Sequence, residues 1–326
     1  MSYSDFIKRI GRGSQSASDL QEDEAYQLFS AMLDDGVSDL ELGAIVLALR
    51  MKSESATEML GFYTALAERT YTLPMPGTPY LPVVLPSYNG ARRQANLLPL
   101  LALLLRDCGI PVLLHGTLQG NGRVTTASVL REFGILPCVN LRQAENHLNE
   151  RGLAFLPTVT LCPGLAALLT LRERLGVRNS AHSLIKLLDP FTAGSLRVVS
   201  VSHPEYVVKM REFLSASGAR ALLLRGTEGE PYANPKRRPQ LEFFNEGDSR
   251  VLFEAEEGTV RLPALPDAMD AITTANWISR VIAKEIAIPQ PIVSQLACCL
   301  YGSGYVADMS QAITLAASKS IYMVPA

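Results

Sequence analysis

Apolar residues in the first seventy positions recur at helical spacing, and each run opens on a polar start signal. Tyr3–Ile10 sets Phe6, Ile7 and Ile10 on one side of a short basic helix. Asp19-x-x-Glu22 opens a second run carrying Leu28, Phe29, Met32 and Leu33. Ser38-x-x-Glu41 and Ser55-x-x-Glu58 read as capping boxes for a third and a fourth. Pro74-x-Pro76-Gly77-x-Pro79-x-x-Pro82 then reads as a hinge. Beyond it the period alternates. Strands are expected at Pro82–Leu85, Val112–His115, Leu196–Val201 and Ala219–Leu224. Helices are expected at Ala95–Cys108, Thr126–Phe133, Arg142–Arg151 and Glu205–Ala216. Gly226–Pro239 reads as a polar loop, with strand-like Leu241–Phe244 and Arg250–Phe253 after it. The chain closes on helices at Asp267–Lys284, Gln290–Tyr301 and Asp308–Ser320.

Strands alternating with helices imply a mostly parallel sheet covered on both faces. The expected architecture is α/β: an N-terminal helical domain over 1–75 and a larger α/β domain over 80–326. Four short helices bury little surface alone, so residues 1–70 are expected to pack on a second subunit as a homodimer. Two further helical patterns, Pro163–Leu175 and Ala181–Leu188, interrupt the strand–helix run and would join the N-terminal helices across 163–190. The first should stop near Gly176. Between and around them Arg172, Arg174, Arg178 and Lys186 face only Glu173 and Asp189. Cations at a helix end and on the turn after it suit an anion. Helices 163–190 in the N-terminal domain would put this stretch at an interdomain cleft, a common place for ligands.

Charge sharpens that picture. The net charge is −2, yet residues 170–240 hold twelve Lys and Arg against six Asp and Glu. One basic segment in a near-neutral chain points to a localised anionic partner. The longest apolar runs, such as Leu97–Leu105 with Pro99 inside it, are too short for a bilayer, and Met1–Gly13 lacks a signal-peptide core. The expectation is a cytoplasmic protein with no membrane partner. Cys108, Cys138, Cys162, Cys298 and Cys299 read as reduced core residues, and His115, His147, His182 and His203 show no ligand spacing, so no metal is expected.

Several segments resemble the anthranilate phosphoribosyltransferase family, of the glycosyltransferase family 3 fold shared with pyrimidine nucleoside phosphorylases. Arg172-x-x-Leu175-Gly176-Val177-Arg178 is similar to the segment that helps hold anthranilate. His115-Gly116 matches the end of a Lys-His-Gly, and Asn96 the first residue of an Asn-x-Ser-Thr, with the spacing between them kept. The resemblance implies a helical dimerisation domain, a hinge and an α/β domain. It breaks where those enzymes hold phosphoribosyl pyrophosphate. Their Gly-Thr-Gly-Gly-Asp turn is Pro86-Ser87-Tyr88-Asn89-Gly90 here, and Leu114 and Leu98 replace the lysine and the serine. The acidic pair for magnesium should fall near Glu228–Tyr232, which reads EGEPY. Asn89, Gly90, Asn96, His115 and Gly116 are thus remnants of a donor site, with no catalytic residue or cofactor assigned.

What remains is basic. Arg92, Arg93, Arg123, Lys236, Arg237 and Arg238 join Arg172, Arg174, Arg178 and Lys186. The chain therefore resembles the non-catalytic branch that binds nucleic acid through a basic groove of the homodimer. On this reading it binds DNA, single strands in preference, with RNA the second candidate, and without regard to sequence, because no sequence-reading motif is present. Lys236–Arg238 are expected on a mobile loop, with Tyr232, Phe243 and Phe244 near enough to stack on bases; strand packing is the competing reading for the two phenylalanines. Two other readings stand: a phosphoribosyltransferase or phosphorylase acting on an aromatic amine or base, and a scaffold for a different anionic partner.

Overall fold

The computed structural model describes residues 2–13, 16–257 and 264–320; the ends of the expected spans 1–75 and 80–326 lie outside the described residues. In chain order the elements are α1 (Tyr3–Ile10), α2 (Glu22–Leu33), α3 (Asp39–Lys52), α4 (Ala56–Glu68), β1 (Val83–Ser87), α5 (Leu98–Arg106) and β2 (Val112–Gly116). Next come α6 (Thr126–Arg131), α7 (Leu141–Arg151), β3 (Leu153–Pro157), α8 (Thr158–Leu161), α9 (Pro163–Leu175), α10 (Ala181–Leu184) and β4 (Leu196–Val201). The rest are α11 (Pro204–Ala216), β5 (Ala221–Thr227), β6 (Glu230–Ala233), β7 (Leu241–Asn245), β8 (Asp248–Phe253), α12 (Ala271–Ile282), α13 (Gln290–Gly302) and α14 (Met309–Lys319).

Contacts divide the chain into two compact units: Met1–Thr72 with Thr158–Pro190, and Leu73–Pro157 with Phe191–Ala326. In the helical unit α2 packs on α4, with Phe29 stacked on Phe62 at 4.9 Å. Ser55 and Glu58 form the expected capping box on α4. Buried Glu58 also accepts from Leu20 N and pairs with Lys52 at 2.6 Å, tying the start of α2 to α4. The other starts differ. Gln21 and Glu24, not Asp19 and Glu22, form the box of α2. Ser38 is the N-cap of α3, but its hydroxyl donates to Glu41 rather than accepting from the backbone. α9 runs Pro163–Leu175 and ends on Gly176 in the left-handed region, as expected. The expected helix Ala181–Leu188 is shorter: α10 tightens into a 3-10 turn over Ile185–Leu187.

The larger unit is built on one sheet of order β3-β2-β1-β4-β5-β7-β8, with β6 on the end of β5. β3 to β5 run parallel; β7 and β8 are antiparallel. One face buries Val83, Leu85, Val112, Leu114, Leu222 and Leu224 against α5, α13 and their neighbours. α5 is buried on every side except Arg106, which explains its run of leucines. α11 covers the other face with Met210, Phe213 and Leu214. Chain order reverses between β1 and β4, so their carboxyl ends flank a switch point, where open α/β sheets place ligands.

Two strands depart from the sequence reading. β3 is a continuous apolar run buried on both sides, a pattern that periodicity alone does not separate from loop or helix. β6 falls inside the expected polar loop Gly226–Pro239. It pairs back on β5 through a two-residue turn, Glu228–Gly229, with φ +55° and +93°. A turn with both central residues at positive φ matches the twist of a tight hairpin, and glycine takes the second place without strain.

Candidate functional site

The hairpin β5–β6 delivers two carboxylates to the loop after β1. Glu230 is fully buried. Its Oε1 accepts from the backbone N–H of Asn89 at 3.0 Å and of Gly90 at 2.8 Å. Its Oε2 accepts from Ser87 Oγ at 2.5 Å and Thr126 Oγ1 at 3.4 Å. Burial pushes its pKa up, opposed but not overcome by these hydrogen bonds. Glu228 Oε1 accepts from the backbone of Arg92 at 3.2 Å, Arg93 at 2.8 Å and Gln94 at 3.1 Å. Arg123 pairs with Glu228 at 3.5 Å and donates to Gly90 O at 3.2 Å. Consecutive backbone N–H groups make an anion-binding concavity. Here the anions are the chain's own side chains.

The other remnants are equally engaged. Asn96 is buried; its Nδ2 donates to Val124 O and Thr126 Oγ1, both at 3.1 Å, and its Oδ1 accepts from Leu98 N. His115 is sealed on β2 between Pro86 and Leu156, and burial alone lowers its pKa to about 3. Its ring nitrogens have no partner among the described residues. Gly116 lies opposite Ser87 in the strand register. A pyrophosphate with magnesium, implied by the enzyme resemblance, does not fit these residues. The N–H groups that would meet the pyrophosphate point at Glu228 and Glu230, and these acids have turned their oxygens inward.

The basic residues of the larger unit separate into three environments. Arg123 is mostly buried in its pairing with Glu228, so it is not the exposed phosphate contact expected. Arg92 and Arg93 keep exposed side chains while their backbones hold Glu228. Lys236–Arg238, expected on a mobile loop, are tied to other segments through Arg237 and Arg238. Arg238 Nη1 meets Ser294 Oγ at 3.3 Å and Glu256 at 3.5 Å, and its guanidinium lies 4.9 Å from the centre of the Phe253 ring. Arg237 is exposed but donates its Nε to Glu256 O at 2.9 Å; Lys236 is exposed. Contacts to Phe253 at the end of β8, to Glu256 beyond it and to Ser294 of α13 tie the segment down.

That segment lies between two hollows. One, of about 190 Å³, is lined by Arg93 and Lys236. The other, of about 460 Å³, lies beside α11 and the start of β7 and is lined by Arg211, Arg225, Arg237 and Arg238. The sequence reading did not single out Arg211 or Arg225. The period of two along β5 would have turned Arg225 to the same face as Leu223, at the end of a buried strand. Tyr232 is not available to stack on bases: it is fully buried, and its hydroxyl donates to Ala95 O at 2.9 Å. Phe243 and Phe244 are buried strand residues.

In the helical unit, Arg172, Arg178 and Lys186 gather around His182. Their charges, after burial, lower its pKa to about 3, so it stays neutral. Arg172 and Arg178 are half-buried. Lys186 is only 9% exposed, which removes it as an open phosphate contact. Arg174 is exposed and pairs with Asp39 at 3.2 Å. Among the described residues no group of three or more His, Cys, Asp or Glu is placed to hold a metal ion, and no helix is long and apolar enough to cross a membrane.

Comparison with known proteins agrees with this frame. Residues 4–70 match the helical bundle domain of a glycosyl transferase family. The chain is 46% identical over 314 residues to the uncharacterized protein YbiB of Escherichia coli, covering 96% of this chain and 98% of that one. It is 26% identical to the anthranilate phosphoribosyltransferase of Desulfitobacterium hafniense over 92% of this chain and 90% of that protein. The crystal structure of the Thermus thermophilus enzyme superposes with a TM-score of 0.79 at 23% identity, covering 97% of this chain and 94% of that one, a likeness of fold alone. The chain thus belongs to the family of Escherichia coli YbiB, built on the anthranilate phosphoribosyltransferase fold.

Proposed function

We propose that this protein binds nucleic acid through its phosphates, without sequence preference and with single-stranded DNA favoured, and that it does not transfer phosphoribosyl groups. The observation that carries the reading is the position of Lys236–Arg238 between two hollows, with Arg93 beside Lys236 and Arg225 beside Arg237. Cations in adjoining hollows suit successive phosphates of a strand, whereas one compact anion needs a single tight cradle. The cradle that this fold offers at the end of β1 is filled by Glu228 and Glu230. That argues against the transferase alternative.

The oxygens of the amides nearest the basic segment are already committed. Gln240 accepts from Arg211 and donates to Glu254, and Asn234 Oδ1 accepts from Lys236 N. They leave little to read base edges, which supports sequence independence. The partner arrangement we propose is a homodimer through the helical unit, where Leu40, Leu47 and Met51 are exposed along α3. Two basic strips in one particle would hold a long strand by avidity.

The test is a fluorescence titration with labelled random oligonucleotides, single- and double-stranded, DNA and RNA, across a salt series. Binding should be indifferent to sequence, with log K falling linearly with log salt. No binding at low salt, or binding that salt does not weaken, overturns the reading.

A further inference from the structure

The larger hollow has more structure than a strip of surface charge. Its volume of about 460 Å³ falls in the range of small-molecule sites. Val207 and Pro239, both half-buried, supply apolar wall, with the buried Leu223 beneath it. The four arginines divide into two pairs. Arg211 is compensated: its Nε meets Glu242 Oε2 at 2.6 Å and its Nη2 meets Gln240 Oε1 at 2.5 Å. Arg238 is compensated by Glu256 and held over Phe253. These two account for the hollow's two acids, Glu242 and Glu256.

Arg225 and Arg237 are the surplus. Arg225 is exposed and has no hydrogen-bond or ion-pair partner among the described residues. Arg237 spends its Nε on a backbone carbonyl, which neutralises no charge. Two uncompensated guanidinium groups at the rim of one hollow match an anion of charge near −2. An internal phosphodiester carries one charge. A terminal phosphomonoester carries about −1.5 to −2 near neutral pH and presents three acceptor oxygens for forked donors.

We propose that this hollow seats a nucleoside monophosphate unit, the phosphorylated end of a strand, with the base on the apolar wall and the phosphate on Arg225 and Arg237. The inference rests on the nucleic-acid reading and adds to it an end-specific pocket that a uniform basic strip would lack. Nothing in the hollow requires a particular base: Gln240 is bonded at its oxygen and its nitrogen and Asn234 at its oxygen, so neither offers the paired donor and acceptor that reads a base edge. The 5′- and the 3′-phosphate share the chemistry, and experiment separates them.

Oligonucleotides of one sequence carrying a 5′-phosphate, a 3′-phosphate or only hydroxyl ends are titrated against the full chain and against Arg225→Ala. The side chain of Arg225 is exposed, so the variant should fold. One phosphorylated end should bind at least tenfold tighter than the hydroxyl-ended strand. Arg225→Ala should erase that difference, weakening the phosphorylated strand at least tenfold more than it weakens the hydroxyl-ended one, and a free nucleoside monophosphate should compete for the gain alone. If all three strands bind alike, or if Arg225→Ala weakens them all by the same factor, the end pocket is refuted while general strand binding stands. If no strand binds the full chain, the pocket and the nucleic-acid reading fall together.

Discussion

Replacing Glu230 tests whether the loop after β1 is held by a buried carboxyl group. Alanine removes the acceptor of two buried backbone N–H groups, Asn89 and Gly90, and of the Ser87 hydroxyl. A buried donor left without an acceptor costs about 1–3 kcal/mol, so losing the two N–H partners should cost about 3 kcal/mol. For a unit of this size that lowers Tm by about 6–12 °C. Glutamine is the informative control. Its carbonyl oxygen can still accept from both N–H groups, and its amide can donate to the hydroxyls of Ser87 and Thr126, which rotate to suit. The pH dependence then has a definite sign. Burial raises the pKa of Glu230 in the folded state, so the native protein holds this proton more tightly than the unfolded chain. The stability contributed by this group is present below the ordinary glutamate range and is lost as pH rises through the raised value. Glu230→Gln does not titrate, so its stability relative to the parent should improve as pH rises from about 4, near the ordinary glutamate value of about 4.3, to about 7. Thermal melts of the parent and both variants at these two pH values provide the assay. An alanine variant melting within about 2 °C of the parent would refute the idea that Glu230 holds the loop.

Incubation with phosphoribosyl pyrophosphate, magnesium and anthranilate should release no pyrophosphate above blank; turnover that disappears on replacing Asn96 or His115 would restore the enzyme reading. Lys236→Ala with Arg237→Ala should lower the single-strand salt slope by about 1.4, about 0.7 for each lost phosphate contact, with Tm nearly unchanged because exposed charges contribute little. Arg238→Ala should lower Tm measurably, since it removes contacts to Ser294, Glu256 and Phe253; equal melting of the two variants would count against the fixed segment. Sedimentation at micromolar concentration should find a dimer, and replacing Leu40, Leu47 and Met51 by polar residues should yield monomers and weaken binding to long strands. A monomeric parent contradicts the dimer.

Elements whose signals act locally could be read along the chain. The capping box at Ser55, the stop at Gly176 and the leucine-rich α5 each depend on residues within a few positions, and each lies where the pattern put it. The break in the donor turn was legible too, because it is a matter of residue identity. Its filling was not. Glu230 meets Gly90 across 140 positions, and composition made the surrounding EGEPY look like loop. The same limit hid β6 and placed Tyr232 on a surface, since burial of a strand with proline and glutamate depends on the neighbours that satisfy it. Charge shows the same division. Sequence marks where arginines are concentrated, but long-range pairing assigns Arg123 to Glu228 and Arg211 to Glu242, buries Lys186, and leaves Arg225 and Arg237 at the rim of a hollow. A formal charge belongs to a residue, whereas its availability depends on which opposite charge the fold brings within reach.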